Sequence, residues 1–338
     1  MIRSARPLGG QACCAIATWT PPVNCGIECL QGHRHALDYN TGRFLGQLQT
    51  HFFNVHKIQY PILLFHADLT IDQKRILRRK TRSAVLYYKT RLTPMALPLP
   101  LRPMFARIVN ATKEAHPNGD LFKPERADAP YKGFWERMLS RFFAGEMLLF
   151  HPSVRGYRYV LKLDSVYGRI RGPFPYDPFA RASALKLAFA YTSTVSEHAT
   201  TLVNPVVSSW MREHRVSMPL LRPFVAAAAP DGPDGSSGPS VSSSPPLFAY
   251  NGMAYGEGFQ LFSLDFFKSS TLYASLYNQV DGKALFLLGT DNDDTVLSHN
   301  QFWALVLPFV ASSDSDSKRV SRLADVPISH PVDVNTLY

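Results

Sequence analysis

Short apolar runs and amphipathic stretches alternate along most of this chain. "YPILLF", residues 60–65, is a compact apolar run that predicts a buried strand. "TIDQKRILRRKTRSAVLYY" follows, and Thr70 with Gln73 forms a capping box that starts a helix at about Ile71. In that helix reading Ile76, Leu77 and Val85 turn inward. "FWERMLSRFFAGEMLLF" places Phe134, Trp135, Met138, Leu139, Phe142 and Phe143 on one broad helical face, which predicts core packing. "YRYVLKLD" climbs as a strand and ends on Asp164. "LKLAFAYTSTV" predicts a further strand, and Glu197 to Arg212 a helix. "FQLFSL" is a strand running into "DFFKSSTLYASLYNQV", where Asp265 can cap the helix. "KALFLL" completes the strands, and "SHNQFWALVL" is a helix.

Strand and helix in alternation predict an α/β layered fold with a mainly parallel sheet. Ligands of such sheets bind beyond the carboxyl ends of the strands. Asp68, Asp164, Asp265 and Asp291 each follow a predicted strand closely. The same placement suits a helix cap or a turn, so both readings stand at this level.

Three stretches lack periodicity. Residues 1–45 read as a poorly ordered leader ahead of a single domain spanning 46–338. "VAAAAPDGPDGSSGPSVSSSPP", Val225 to Pro246, is rich in Pro, Gly and Ser and predicts a flexible surface insertion. "SSDSDSK", Ser312 to Lys318, is a shorter one. All four cysteines, Cys13, Cys14, Cys25 and Cys29, fall within the leader, so the rest of the fold needs no disulfide. Cys25, Cys29, His33 and His35 offer zinc-ligand chemistry, but not at finger spacing, and a loosely ordered leader is the reading favoured here. No run reaches the roughly 18 apolar residues of a membrane span. "ACCAIATW" is too short for a signal peptide and is followed by Pro21 and Pro22. The expectation is a soluble chain, or one supplied without an anchor.

Composition is globular, at 46% hydrophobic and 18% charged residues, and the formal charge of +10 favours an anionic partner. The basic run Lys74 to Arg82 suggests nucleic acid, yet no stacking aromatics or reader motif accompany it, so a solvated helix face is expected. GxGxxG after a strand, GxxxxGK[ST], GxSxG and HExxH are all absent. A basic α/β protein with strand-end acids suits an anionic substrate held through a divalent metal. Metal sites at strand ends usually carry two carboxylates, and after Asp164 the second place is taken by Val166.

Seven segments in order resemble the fungal-type α-1,2-mannosyltransferases, glycosyltransferase family fifteen, of which the chain is identified as a divergent member. They are "YPILLFHADLT", "MLSRFFAGEMLLFHPSVRGYRYVLKLD", "PYDPF", "YTSTVSEHATTL", "GFQLFSLDFFKS", "GTDNDDTVLSH" and "LADVPISHP". The resemblance runs from about Tyr60 to His330. It implies a GT-A nucleotide-diphospho-sugar transferase fold, a twisted mixed sheet flanked by helices. It implies retaining transfer of mannose from GDP-mannose to a glycan or glycoprotein, dependence on manganese, and a Golgi-luminal domain behind a membrane anchor.

The resemblance also assigns roles. Asp164 takes the first place of the family's Glu-Pro-Asp motif, with Ser165 and Val166 in the other two, and His330 matches a C-terminal histidine that ligates the metal. Gln260 stands where the family has a glutamate, the candidate catalytic carboxylate. A glutamine is neutral and orients a sugar only through hydrogen bonds, and Glu257 is the nearest upstream substitute. Asp68, Tyr176, Asp177 and Asp291 are implied on the donor or acceptor side. For Asp177 a second reading stands beside that one: Asp-Pro opening a helix with Pro178 in its first position. Asp293 and Asp294 are expected as cap or loop residues. Two alternatives stay open: a catalytically inactive member that binds glycan or nucleotide, and a basic nucleic-acid-binding protein.

Overall fold

A computed structural model describes residues 13–20, 41–66, 69–90, 97, 99–103, 106, 134–164, 169–197, 203–215, 224–227, 248–287, 297–310 and 320–329. Its frame is one seven-stranded sheet. The first strand, β1 (Cys14–Thr20), lies inside the stretch expected to be a disordered leader. It is one of the central strands, with six of its seven residues buried. The reading of residues 1–45 as leader is therefore corrected at 14–20, and again at 41–45, where a helix has already begun. A central parallel strand is covered on both faces, so it carries no polar alternation to announce it. Cys25, Cys29, His33 and His35 lie outside the described residues.

Helix α1 (Arg43–Leu48) continues through wide i→i+5 turns over Gln49–Phe53 and a last turn over Asn54–His56. Strand β2 (Ile62–His66) is buried throughout. Helix α2 (Ile71–Arg78) opens with the expected capping box: Gln73 N–H donates to Thr70 Oγ1, and Thr70 N–H donates to Gln73 Oε1. Leu77 is buried, but Ile76 is exposed, and Val85 belongs to the next strand, β3 (Val85–Lys89). Helix α3 (Phe134–Arg141) again widens into i→i+5 turns over Phe142–Phe150. Met138, Phe142 and Phe143 are buried there as the apolar face predicts. A side chain on Gly145 would fall on the Tyr277 ring, so this stretch sits hard against its neighbour.

Strand β4 (Tyr159–Leu163) ends immediately before Asp164. Then come β5 (Arg169–Ile170), helix α4 (Pro178–Ala184), β6 (Phe189–Tyr191) and β7 (Thr194–Ser196). The single strand expected over "LKLAFAYTSTV" is thus two. β6 belongs to the main sheet, while β7 pairs separately with β10. Helix α5 (Val203–His214) starts later than the expected Glu197. β8 (Val225–Ala227) pairs with β9 (Phe248–Tyr250), so the expected insertion begins as a strand; residues 228–247 lie outside the described set. β10 (Met253–Tyr255) leads through Gly256 and Glu257 into β11 (Phe259–Ser263). Helices α6 (Leu264–Ser269) and α7 (Thr271–Gly282) follow.

"KALFLL" is not a strand. Ala284 takes φ 57° and the chain folds back through turns, burying Leu285 and Phe286 instead of adding a sheet edge. Helix α8 (His299–Val310) is followed by β12 (Val320–Arg322) and β13 (Ile328–Ser329). Ser312 to Lys318 lies outside the described residues.

The sheet order is β12-β6-β11-β4-β1-β2-β3. Only β11 runs antiparallel to its neighbours β4 and β6. Side chains alternate between two cores. Ala15, Ala17, Leu63, Phe65, Val160 and Phe262 face the layer with α5, α7 and α8. Ile16, Ile62, Leu64, Leu161 and Leu261 face α1 and α4. The carboxyl ends of the parallel strands and the amino end of β11 therefore share one edge.

Candidate functional site

That shared edge holds a polar cluster. Asp164 is half-buried at the end of β4. Gln260 lies directly opposite Lys162 across the β4–β11 pairing. Lys162 is 4% exposed and Gln260 0%. Lys162 Nζ donates to Gln260 Oε1 at 3.1 Å, and lies 4.8 Å from the centre of the Phe143 ring. Both hydrogens of Gln260 Nε2 are used, on Gly256 O at 3.1 Å and Asn300 Oδ1 at 2.7 Å. Asn300 Nδ2 donates in turn to Glu257 Oε1 at 2.9 Å. His299 Nε2 is 3.9 Å from the same carboxylate oxygen, and its Nδ1 meets Ser140 Oγ at 3.3 Å. Burial lowers the Lys162 ammonium from its ordinary value, and the negative charges of Glu257 and Asp164 pull it back up.

Gln260 is thus buried, and its side-chain bonds go to protein groups. Glu257 keeps 39% of its side chain exposed at the same edge. Of the two candidates for the reaction centre, Glu257 is the one whose carboxylate reaches solvent. Its turn is fixed from behind: Gly256 N–H donates to Ser193 O at 2.9 Å, and a side chain on Gly256 would fall on Ser193. The first turn of α8 is fixed as well. Ser298 Oγ accepts from Gln301 N–H, Gln301 Oε1 accepts from Ser298 N–H, and Ser298 donates to Glu197 Oε2 at 2.7 Å. Lys162 and His299 lie within segments of the resemblance but were given no role there, and Asn300 lies outside them. The one available signal was a lysine inside the apolar run "YVLKLD".

His66 ends β2 on this edge. Burial, and then Lys74 and Lys89, lower its pKa to about 4, so it is neutral at pH 7, with Nδ1 accepting from Leu69 N–H at 3.0 Å. Asp68, Asp291 and His330, together with Asp293 and Asp294, lie outside the described residues.

Two expected site residues are elsewhere. Asp177 caps α4 through Phe179 N–H at 3.0 Å, with Pro178 in the first helical position, and accepts from Tyr60 O–H at 2.7 Å. Tyr60 precedes β2, so Asp177 sits at the amino ends of the strands, away from Glu257. Its helix-opening reading holds. Tyr176 donates to Asp325 Oδ1 at 2.6 Å, joining this segment to the chain between β12 and β13. Neither residue joins the Gln260 cluster. Asp265 is not the cap of α6. Ser263 holds that position, and Asp265 lies in the first turn, 3.4 Å from Arg158. Because β11 runs antiparallel, its carboxyl end is at the edge opposite Asp164. A depression lined by Lys57 and Arg82, among others, also lies at the amino ends.

The basic run is largely solvated, with Arg75 paired to Asp72 at 2.8 Å and Lys74 placed over the Tyr87 ring. Among the described residues no group of three His, Cys, Asp or Glu could hold a metal, and no helix is long and apolar enough to cross a membrane.

No protein-family model matches the chain, and no curated protein matches its sequence. Solved structures do. Core-mannan synthase A from Aspergillus fumigatus, in its Mn/GDP form, superposes with a TM-score of 0.65 at 14% identity, covering 98% of this chain and 76% of that one. The mannosyltransferase Ktr4p from S. cerevisiae gives 0.65 at 14%, covering 97% and 73%. Ktr4p has also been solved in complex with GDP. With its mainly parallel seven-stranded sheet and flanking helices, the chain has the GT-A fold of nucleotide-sugar transferases, which it shares with these two structures.

Proposed function

We propose that the chain is a glycosyltransferase that takes mannose from GDP-mannose and passes it, with retention, to a glycan or glycoprotein in the Golgi lumen. The observation that carries this reading is the GT-A fold over 98% of the chain, with Asp164 at the carboxyl end of β4 where such sheets bind ligands. The similar proteins are described with Mn/GDP and with GDP, which supports a guanosine diphosphate leaving group.

In this reading Asp164 and His330 would hold a manganese ion. Asp164 offers a carboxylate that is not fully buried. β13 pairs with β5 so that Ser329, the residue before His330, lies opposite Arg169 on the strand after Asp164. Residues 328–329 thereby lie beside residues 169–170. Aspartate oxygen, imidazole nitrogen and diphosphate oxygens form a donor set that manganese accepts. When bound, the ion would offset diphosphate charge and stabilise the leaving group. The carboxylate facing the sugar is Glu257, set where positive charge develops at the anomeric carbon.

Incubating the protein with GDP-mannose, manganese and an α-mannoside acceptor tests this. The expected result is GDP release with an α-linked product by proton NMR, and at least tenfold slower release from UDP-glucose. Binding of GDP-mannose without any release of GDP would favour an inactive binder. Absence of both would sink the proposal.

A further inference from the structure

The cluster behind Glu257 has a direction. Lys162 is a cation that can only donate hydrogen bonds, and Glu257 as a carboxylate can only accept them. Two neutral amides stand between them. Lys162 Nζ donates to Gln260 Oε1, Gln260 Nε2 donates to Asn300 Oδ1, and Asn300 Nδ2 donates to Glu257 Oε1, at 3.1, 2.7 and 2.9 Å. With the two ends fixed in kind, each amide has one orientation that leaves no acceptor facing an acceptor. Reversing either would set two carbonyl-type oxygens, or two NH2 groups, against each other.

The burial gives this order its weight. Lys162, Gln260 and Asn300 are 4%, 0% and 0% exposed, so none of the three can exchange a partner for water. A buried ammonium needs compensation, and the hydrogen bond from Lys162 to Gln260 ends on a neutral oxygen. Asp164 and Glu257 supply the compensating negative charge, and Glu257 is linked to the ammonium through aligned amide dipoles, which strengthen one another in a low-dielectric interior. The remaining Gln260 hydrogen holds Gly256 O, the residue before Glu257, so the same side chain sets both the backbone and the carboxylate.

We propose that Lys162, Gln260 and Asn300 are positioning residues: a buried, one-way relay that holds the Glu257 carboxylate toward the donor sugar. This rests on the glycosyltransferase reading above. Gln260 is then a link whose donor function is required, and a glutamate at 260 is the wrong residue for this chain. A glutamate would pair directly with Lys162. It would also turn an acceptor toward Asn300 Oδ1 and release Glu257.

Gln260→Glu therefore separates the relay from a merely structural role. The expected result is kcat lowered at least tenfold, KM for GDP-mannose within twofold, and a melting temperature equal to or above wild type. Asn300→Ser, which shortens the link and leaves a small polar residue, is expected to lower kcat similarly while GDP affinity is kept. In the double variant the losses do not multiply, because each breaks the same relay. Wild-type or higher turnover in Gln260→Glu would overturn the proposal, as would multiplicative losses.

A second measurement does not depend on turnover. In 15N spectra the side-chain NH2 signals of Asn300 and Gln260 are expected to shift together on Glu257→Gln, and unmoved signals overturn the relay. Should the protein neither bind nor turn over GDP-mannose, the glycosyltransferase reading fails while these spectra still decide the relay itself.

Discussion

Replacing Asp281 with alanine is expected to destabilise the fold by about 3–5 kcal/mol, the range for breaking one side of a buried ion pair. Arg141 Nε and Nη2 donate to the two oxygens of Asp281 at 2.6 and 2.8 Å, a bidentate pair. The side chains are 11% and 12% exposed. The pair ties the end of α3 to the last turn of α7, close to where the Tyr277 ring covers Gly145. Alanine leaves the guanidinium in place with its main acceptor gone and little water to replace it. The sign reverses if both partners go: Arg141→Met with Asp281→Leu should recover most of the loss, since an apolar pair of similar volume needs no desolvation. Urea unfolding followed by circular dichroism measures both. A loss under about 1 kcal/mol in Asp281→Ala would show that the pair is effectively solvated.

The largest functional effect is expected at Glu257. Glu257→Gln should lower kcat at least 100-fold, about 2.7 kcal/mol of transition-state stabilisation, with GDP affinity within threefold of wild type. The glutamine carbonyl can still accept from Asn300 Nδ2, so the geometry survives and only the charge is removed. That charge matters when the anomeric centre turns positive, which makes the loss appear in kcat rather than in binding. Steady-state release of GDP at saturating donor measures it. Half or more of wild-type turnover in Glu257→Gln would remove this carboxylate from the reaction.

Several features were legible in the residues because they are local. The Thr70–Gln73 box spans one helical turn, and the apolar climb to Asp164 ends in a polar residue. The turn at Pro178 needed only the Asp-Pro pair. What was not legible depends on contacts distant in sequence. β1 is seven mostly small or β-branched residues, and its burial comes from β2 and β4 on either side. The direction of β11 is invisible in "FQLFS", yet it decides that Gln260 lies toward the Asp164 edge of the sheet and Asp265 toward the other. Lys162 and Gln260 are 98 residues apart, Gln260 and Asn300 40 apart, so the relay exists only once the sheet has formed. The resemblance placed Gln260 at the reaction centre by position. In the fold Gln260 is fully buried, while the Glu257 side chain is partly exposed.

The edge bearing Asp164 is proposed to bind a nucleoside diphosphate through a divalent metal. Calorimetric titration of GDP into the protein, with and without manganese, tests it most directly. The expected result is saturable heat that requires manganese and is lost in both Asp164→Ala and His330→Ala. No heat from the wild-type protein at millimolar GDP with manganese, or equal heat from Asp164→Ala, would contradict it.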